Sequence, residues 1–286
     1  MILEAHRAGD CLTLISNPDG EKVTAMPIAK IGDININYST QGTGEPLVMI
    51  MGFGSAMEGW YFQTSFFSKH FRVVLLDNRG AGGSDKPKGP FTIRMMADDV
   101  IHLMDYLEIE KTHVMGASMG GMIAQEISIN YPERVNKLVL ACTYAKRGET
   151  FSNISDGAKL NGSPAGRMTA IIDLAFNKPL YRFVFGFLAR FRSIPQGSPD
   201  AAGIEGQSAA VMSHDTLDRL GSITSETLVI VGTRDRLIDP AASEVIASKI
   251  PKNKLVKIEG GSHTFMVENK DEFNCEVLNF LTNRVI

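Results

Sequence analysis

The stretch His113-Val-Met-Gly-Ala-Ser-Met-Gly-Gly-Met122 limits what this chain can fold into more than any other. Lys111-Thr-His-Val-Met115 reads as a short buried strand and meets a serine between glycines, Gly116-Ala-Ser-Met-Gly120. A helical pattern starts at once, with Met122, Ile123, Glu126, Ile127 and Tyr131 at helical spacing before Pro132 stops it. Strand, turn and helix in that order require a sharp reversal. The flanking glycines let strand and helix pass close together, and the serine takes the strained position on the turn. Ser118 Oγ is thereby lifted clear of the sheet, and the N–H of Met119, at the start of the helix, faces any oxyanion that forms above it. With 27 glycines in 286 residues a chance G-x-S-x-G is expected about once in ten such chains, so the order of the elements carries the argument.

Similar signals recur along the chain. Ile34-Asn-Ile-Asn-Tyr38 alternates as a half-buried strand; Leu47–Met51, Arg72–Leu76, Lys137–Ala141, Thr227–Val231 and Leu255–Ile258 read as further strands. The continuous apolar runs among them suit strands buried on both faces. Helical patterns intervene. Thr92–Leu107 sets Met96, Val100, Leu103 and Leu107 on one face and Asp98, Asp99 and His102 away from it, and the last helix turns Phe273, Val277, Phe280 and Leu281 inward. Strands alternating with helices predict an α/β fold, a mostly parallel central sheet flanked by helices.

The rhythm lapses between residues 144 and 221. Helical pieces around Arg167–Phe176, Pro179–Phe191 and Ala201–Arg219 replace strands there, which predicts an inserted helical cap. The core is then 26–143 and 222–286. Residues 1–25 form an extension, where Pro18-Asp-Gly20 is turn chemistry for a hairpin. Most of the cap aromatics, Phe176, Tyr181, Phe183, Phe185, Phe187 and Phe191, are expected to pack the cap on the core; one or two facing the cleft would favour an apolar substrate.

Composition excludes several functions. A net charge of −3 supplies no basic footprint for nucleic acid, and no Lys/Arg run suggests an anionic membrane. Phe183–Phe191, the greasiest cap stretch, is too short to span a bilayer and is bounded by Arg182, Arg190 and Arg192. Glu4, Arg7 and Asp10 interrupt any signal-peptide core, so a cytoplasmic protein is expected. Cys11, Cys142 and Cys275 contain no C-x-x-C pair; they indicate neither disulfides nor zinc and read as small buried hydrophobes. The glycine-rich Asp77–Ser84 loop lacks the Lys-Ser/Thr of a phosphate cradle.

Ser118, Asp235 and His263 occur in that order, each just past the C-terminal end of a predicted strand. In an open parallel sheet such ends line one crevice, so residues distant in sequence can converge. From about Ile28 to Ile286 the chain resembles proteins of the α/β-hydrolase fold. The likeness rests on Gly52-Phe-Gly54 with Trp60, on Asp77-Asn-Arg-Gly80 with Gly83-Ser84, on Gly116–Gly121, on Gly232–Asp235 and on Gly261-Ser-His263.

The resemblance implies roles residue by residue. Ser118 would be the nucleophile, His263 the base that takes its proton and passes it to the leaving group, and Asp235 the acid that orients the imidazole. The backbone N–H groups of Phe53 and Met119 would form the oxyanion hole. Asp239 is the rival acid; Asp235 is preferred because it lies closer to the strand end, where the family places it. No cofactor or metal is implied. Many relatives carry His-Gly where this chain has Met51-Gly52, which loosens any transfer of substrate. Serine at the elbow disfavours epoxide opening and halide displacement, which use aspartate there.

The expected activity is hydrolysis of a carboxylic ester of a small, largely apolar substrate through an acyl-enzyme. The alternative within the fold is an enol-lactone or carbon–carbon bond hydrolase with the same triad; Arg167, Arg182, Arg190 and Arg192 would suit carboxylate-bearing substrates. A non-catalytic ligand-binding protein on this fold is the third reading.

Overall fold

The computed structural model describes residues 14–16, 22–24, 27–147, 164–183 and 199–283. β1 (Leu14–Ser16) and β2 (Lys22–Thr24) pair antiparallel, Leu14 opposite Thr24, as a ladder separate from the main sheet.

The main sheet contains eight strands among the described residues: β3 (Ile28–Ile31), β4 (Ile34–Gln41), β5 (Pro46–Ile50), β6 (Arg72–Leu76), β7 (Thr112–Ala117), β8 (Val135–Ala141), β9 (Glu226–Gly232) and β10 (Asn253–Ile258). Their order is β10-β9-β8-β7-β5-β6-β4-β3. The run from β10 to β6 is parallel, while β4 pairs antiparallel with β6 and β3 with β4. β3 is not in the sequence reading; it is a four-residue edge strand returning from β4 through Gly32, whose φ of +57° suits a tight turn. The chain steps from β5 outward to β6, then crosses back to place β7 on the other side of β5. That reversal opens a crevice beyond the strand C-termini, where ligands bind in open α/β sheets.

Each central strand supplies both layers of the core. Val48, Ile50, Val114, Leu138 and Leu140 pack on one face with α2 (Ile93–Tyr106) and α3 (Met119–Asn130). Leu47, Met49, Met115, Val139 and Ile230 pack on the other with Trp60, with Phe67 of α1 (Tyr61–Phe67), and with Phe273 and Val277. This period-2 division is what a strand buried on both faces requires.

Between β8 and β9 the chain contributes α4 (Pro164–Ala175) and α5 (Pro199–Ser213). The chain closes with α6 (Pro240–Lys249), α7 (Phe265–Glu268) and α8 (Lys270–Thr282). Phe176 stacks on Tyr181 with ring centroids 6.2 Å apart, beside Leu237. Phe185, Phe187, Phe191, Arg190, Arg192 and Cys11 lie outside the described residues.

Two sequence expectations are corrected. Asp99 does not share a solvated face with Asp98 and His102: it is buried, and both its oxygens accept from Arg79, each at 2.6 Å. The helical pattern of α2 cannot reveal a partner from the loop after β6. Cys275 is exposed on α8, whereas Cys142 is buried as expected.

Candidate active site

Ser118 sits between β7 and α3 with φ +55° and ψ −121°, a conformation non-glycine residues rarely adopt. The glycines around it answer to space. A Cβ on Gly116 would stand 2.1 Å from the Gly120 carbonyl oxygen, and one on Gly120 2.1 Å from that of Ile50. The strained serine is over-determined by its neighbours. Its N–H donates to Ala141 O at 2.9 Å, and its carbonyl accepts from Gly121 N–H at 2.9 Å and from the Thr143 hydroxyl at 2.8 Å.

Beside it runs the Met51–Ser55 loop after β5. A Cβ on Gly52 would lie 3.1 Å from Ser118 Cβ, so this backbone faces the serine at close range. Asn78 Nδ2 donates to Met51 O at 2.9 Å, Ser55 N–H to Gly52 O at 3.3 Å, and Gly54 N–H to Gln207 Oε1 at 2.7 Å. Met51 packs against Gly59, where an added Cβ would come within 2.3 Å of Met51 Cε.

The Asp77–Ser84 loop is turned inward. Asp77 is buried and accepts from Met57 N–H, Asn37 Nδ2 and Gly83 N–H, each at 2.7 Å. Within the loop, Gly83 N–H serves this internal carboxylate, and Gly80, Ala81 and Ser84 N–H donate to backbone oxygens of Asp85, Asn78 and Ala81.

On the other side of β7, the loops after β9 and β10 meet at glycines. A Cβ on Gly232 would stand 2.4 Å from Gly261 O, and Arg234 N–H donates to that oxygen at 2.8 Å. This approach pairs His263 Nδ1 with Asp235 Oδ2 at 2.7 Å, both residues buried. Asp235 Oδ1 accepts from Leu237 N–H at 2.8 Å and Ile238 N–H at 2.9 Å, which fixes the carboxylate. A carboxylate on Nδ1 selects the imidazole tautomer whose Nε2 is free to act as a base. Asp239 is engaged elsewhere, capping α6 by accepting from Ala241 N–H at 2.9 Å. The end of α4 reaches this loop too: Thr264, next to His263, donates through its hydroxyl to Ala175 O at 3.0 Å.

Cys142 lies between the two halves, fully buried with φ +41°. Burial, and then the charge of Asp235, push its thiol pKa well up, so it stays protonated and inert.

Of the residues singled out in the sequence, Asp235 and His263 are in direct contact, and the Gly52 backbone faces Ser118; no hydrogen bond joins Ser118 Oγ to His263. Asn78, Thr143 and Gln207 escaped the sequence reading as supports of the site. Asn78 lies within the quoted Asp77–Gly80 stretch, but Thr143 and Gln207 carry no local signal. His113 is packed in β7, its ring 5.7 Å from that of Phe71. Among the described residues no group of three or more His, Cys, Asp or Glu is placed to hold a metal ion, and no helix is long and apolar enough to cross a membrane.

Comparison with known proteins bears on this arrangement. The chain is 30% identical over 252 residues to 3-oxoadipate enol-lactonase 2 of Acinetobacter baylyi, covering 85% of this chain and 91% of that protein. It is 26% identical over 266 residues to a putative carbamate hydrolase, RutD, of Azorhizobium caulinodans, covering 89% and 98%. The crystal structure of the enol-lactonase from Burkholderia xenovorans LB400 superposes with a TM-score of 0.77 at 28% identity, over 90% of this chain and all of that one. The sequence pattern of the alpha/beta hydrolase fold matches residues 45–270, and the chain belongs to that family.

Proposed function

We propose that this protein is a serine hydrolase that cleaves a carboxylic ester of a small, largely apolar substrate through an acyl-enzyme. The observation that carries the reading is the buried Asp235–His263 pair at 2.7 Å, on the same sheet edge as a serine held at φ +55°. Ser118 Oγ attacks the carbonyl carbon while His263 Nε2 takes its proton; the hydrogen bond between the two forms once substrate enters. The oxyanion forms opposite the Phe53 and Met119 N–H groups, each donor contributing about 3 kcal/mol to the transition state. The imidazolium then protonates the leaving alkoxide. A water, deprotonated by His263, releases the acid and restores the serine.

A second reading, hydrolysis of an enol-lactone or a carbon–carbon bond next to a ketone, is supported by the enol-lactonase relatives. Arg182, Arg234 and Arg236 line a cavity of about 530 Å³ beside Asp235, which would suit a carboxylate-bearing substrate.

The deciding experiment is hydrolysis of p-nitrophenyl esters of increasing acyl length, with Ser118→Ala as control and an enol-lactone in parallel. Ser118-dependent ester turnover is expected, with activity abolished in Ser118→Ala and its thermal stability nearly unchanged. Turnover that survives Ser118→Ala would remove the nucleophile assignment. Turnover of the lactone alone would favour the second reading, and turnover of neither would favour a ligand-binding protein.

A further inference from the structure

Helix α5 of the cap meets the core through small residues. A Cβ on Gly203 would stand 2.1 Å from Gly80 O, and one on Gly206 2.4 Å from the Phe91 ring, so the helix backbone rests directly on the loop after β6. This close approach delivers Gln207, fully buried, to the Met51–Ser55 loop. Its Oε1 accepts from Gly54 N–H at 2.7 Å, and its Nε2 donates to Arg79 O at 2.9 Å. The partners fix the orientation of the amide, since only its oxygen can accept and only its nitrogen can donate. Both ends are thereby engaged within the protein. Gln207 is 153 residues from Gly54, and it is the cap's own hold on that loop.

We propose that Gln207 is a positioning residue for the oxyanion donor. The Gly54 N–H lies in the peptide plane that follows Phe53, and the Phe53 N–H lies in the plane before it. Asn78 holds the upstream end of the loop through Met51 O, and Gln207 holds the downstream end. Pinning both ends sets the direction in which Phe53 N–H points, so cap docking and oxyanion geometry are one structural unit. Without Gln207 the Gly54 N–H would be a part-buried donor lacking this partner, and the loop would turn to satisfy it. A donor displaced by about 1 Å is enough to slow the chemistry strongly. The proposal rests on reading Phe53 as an oxyanion donor.

The test uses the full chain and two readouts, amide exchange at Gly54 by NMR and kcat with p-nitrophenyl esters. Gln207→Leu keeps the volume and removes both polar atoms, Gln207→Glu keeps an acceptor for Gly54, and Ser208→Ala is a control on the same helix. In Gln207→Leu, Gly54 exchange is expected to speed up about tenfold or more, and kcat to fall about 10- to 100-fold with KM within about twofold. Gln207→Glu should recover part of both effects, and Ser208→Ala should match wild type. Unchanged Gly54 exchange, or faster exchange with kcat within about twofold of wild type, would overturn the proposal. If Gln207→Leu does not fold, Gln207→Met, which also removes both polar atoms, is judged by the same two readouts, a Gly54 exchange or kcat equal to wild type counting against the role. Absence of Ser118-dependent turnover in the wild-type protein is a separate result, visible before any cap variant is made: it removes the oxyanion reading and this role with it.

Discussion

The Thr143 hydroxyl, two residues past the end of β8, donates to the Ser118 carbonyl oxygen at 2.8 Å. That carbonyl belongs to a residue held at φ +55°, so the segment after a neighbouring strand helps keep the serine in its strained pose. Thr143→Val should cost about 1 kcal/mol in urea unfolding, the usual net contribution of one hydrogen bond, since Gly121 N–H still reaches the carbonyl, and should lower kcat several-fold. Thr143→Ser, which keeps the hydroxyl, should restore both. A Thr143→Val protein with unaltered kcat would mean that the turn holds itself.

Asp235 and Asp239 are four residues apart and differ in what they hold. Asp235 accepts from His263, while Asp239 caps α6. Asp235→Asn should lower kcat by orders of magnitude, because the amide stabilises the wrong imidazole tautomer. Asp239→Asn should leave kcat within about twofold and change stability by less than about 1 kcal/mol, since asparagine also caps helices. The reverse ranking would identify Asp239 as the acid.

The Arg79–Asp99 pair is buried and bidentate, at 2.6 Å in both arms. Removing one partner leaves an uncompensated charge inside. Arg79→Met or Asp99→Leu alone should therefore cost about 3–5 kcal/mol, and the double variant much less than the sum. Thermal unfolding of the two single variants and the double variant would measure the coupling; strict additivity would show that the pair contributes nothing as a pair.

His214 supplies a pH dependence. It is buried against Tyr144, and burial pushes its pKa down to about 4, with the opposing charge of Glu126 outweighed. The unfolded chain, with an ordinary histidine near 6.5, binds a proton between these values that the folded chain refuses. Stability is then full above about pH 6.5 and falls as the pH drops towards 4, by on the order of 2 kcal/mol between pH 7 and pH 5. Glu126 adds a loss of the same sign lower down: burial alone would raise its pKa, but its pairing with Arg219 brings the net value below the ordinary one. Urea titrations at pH 7 and pH 5 should show this slope in wild type and a flatter one in His214→Gln. Equal slopes would place the linkage elsewhere.

The amino-acid sequence by itself determined the strands other than β3, the turn at Ser118 and the α/β order of the elements. Period-2 and helical spacing act over a few residues, and the glycines of Gly116–Gly120 record a local crowding that any chain making this turn must meet. The same locality explains what it left open. Asp99 looked solvated because its partner Arg79 comes from the loop after β6, and β3 escaped notice because a short edge strand borrows its order from β4. The tertiary structure decided that Asp235 and not Asp239 reaches His263, since the approach of Gly232 to Gly261 aims the first carboxylate and the start of α6 takes the second. It likewise decided that Gln207 of α5 would meet Gly54. A single glutamine among glycines and alanines carries no periodic signal, and its two hydrogen bonds exist only once helix and core are packed together.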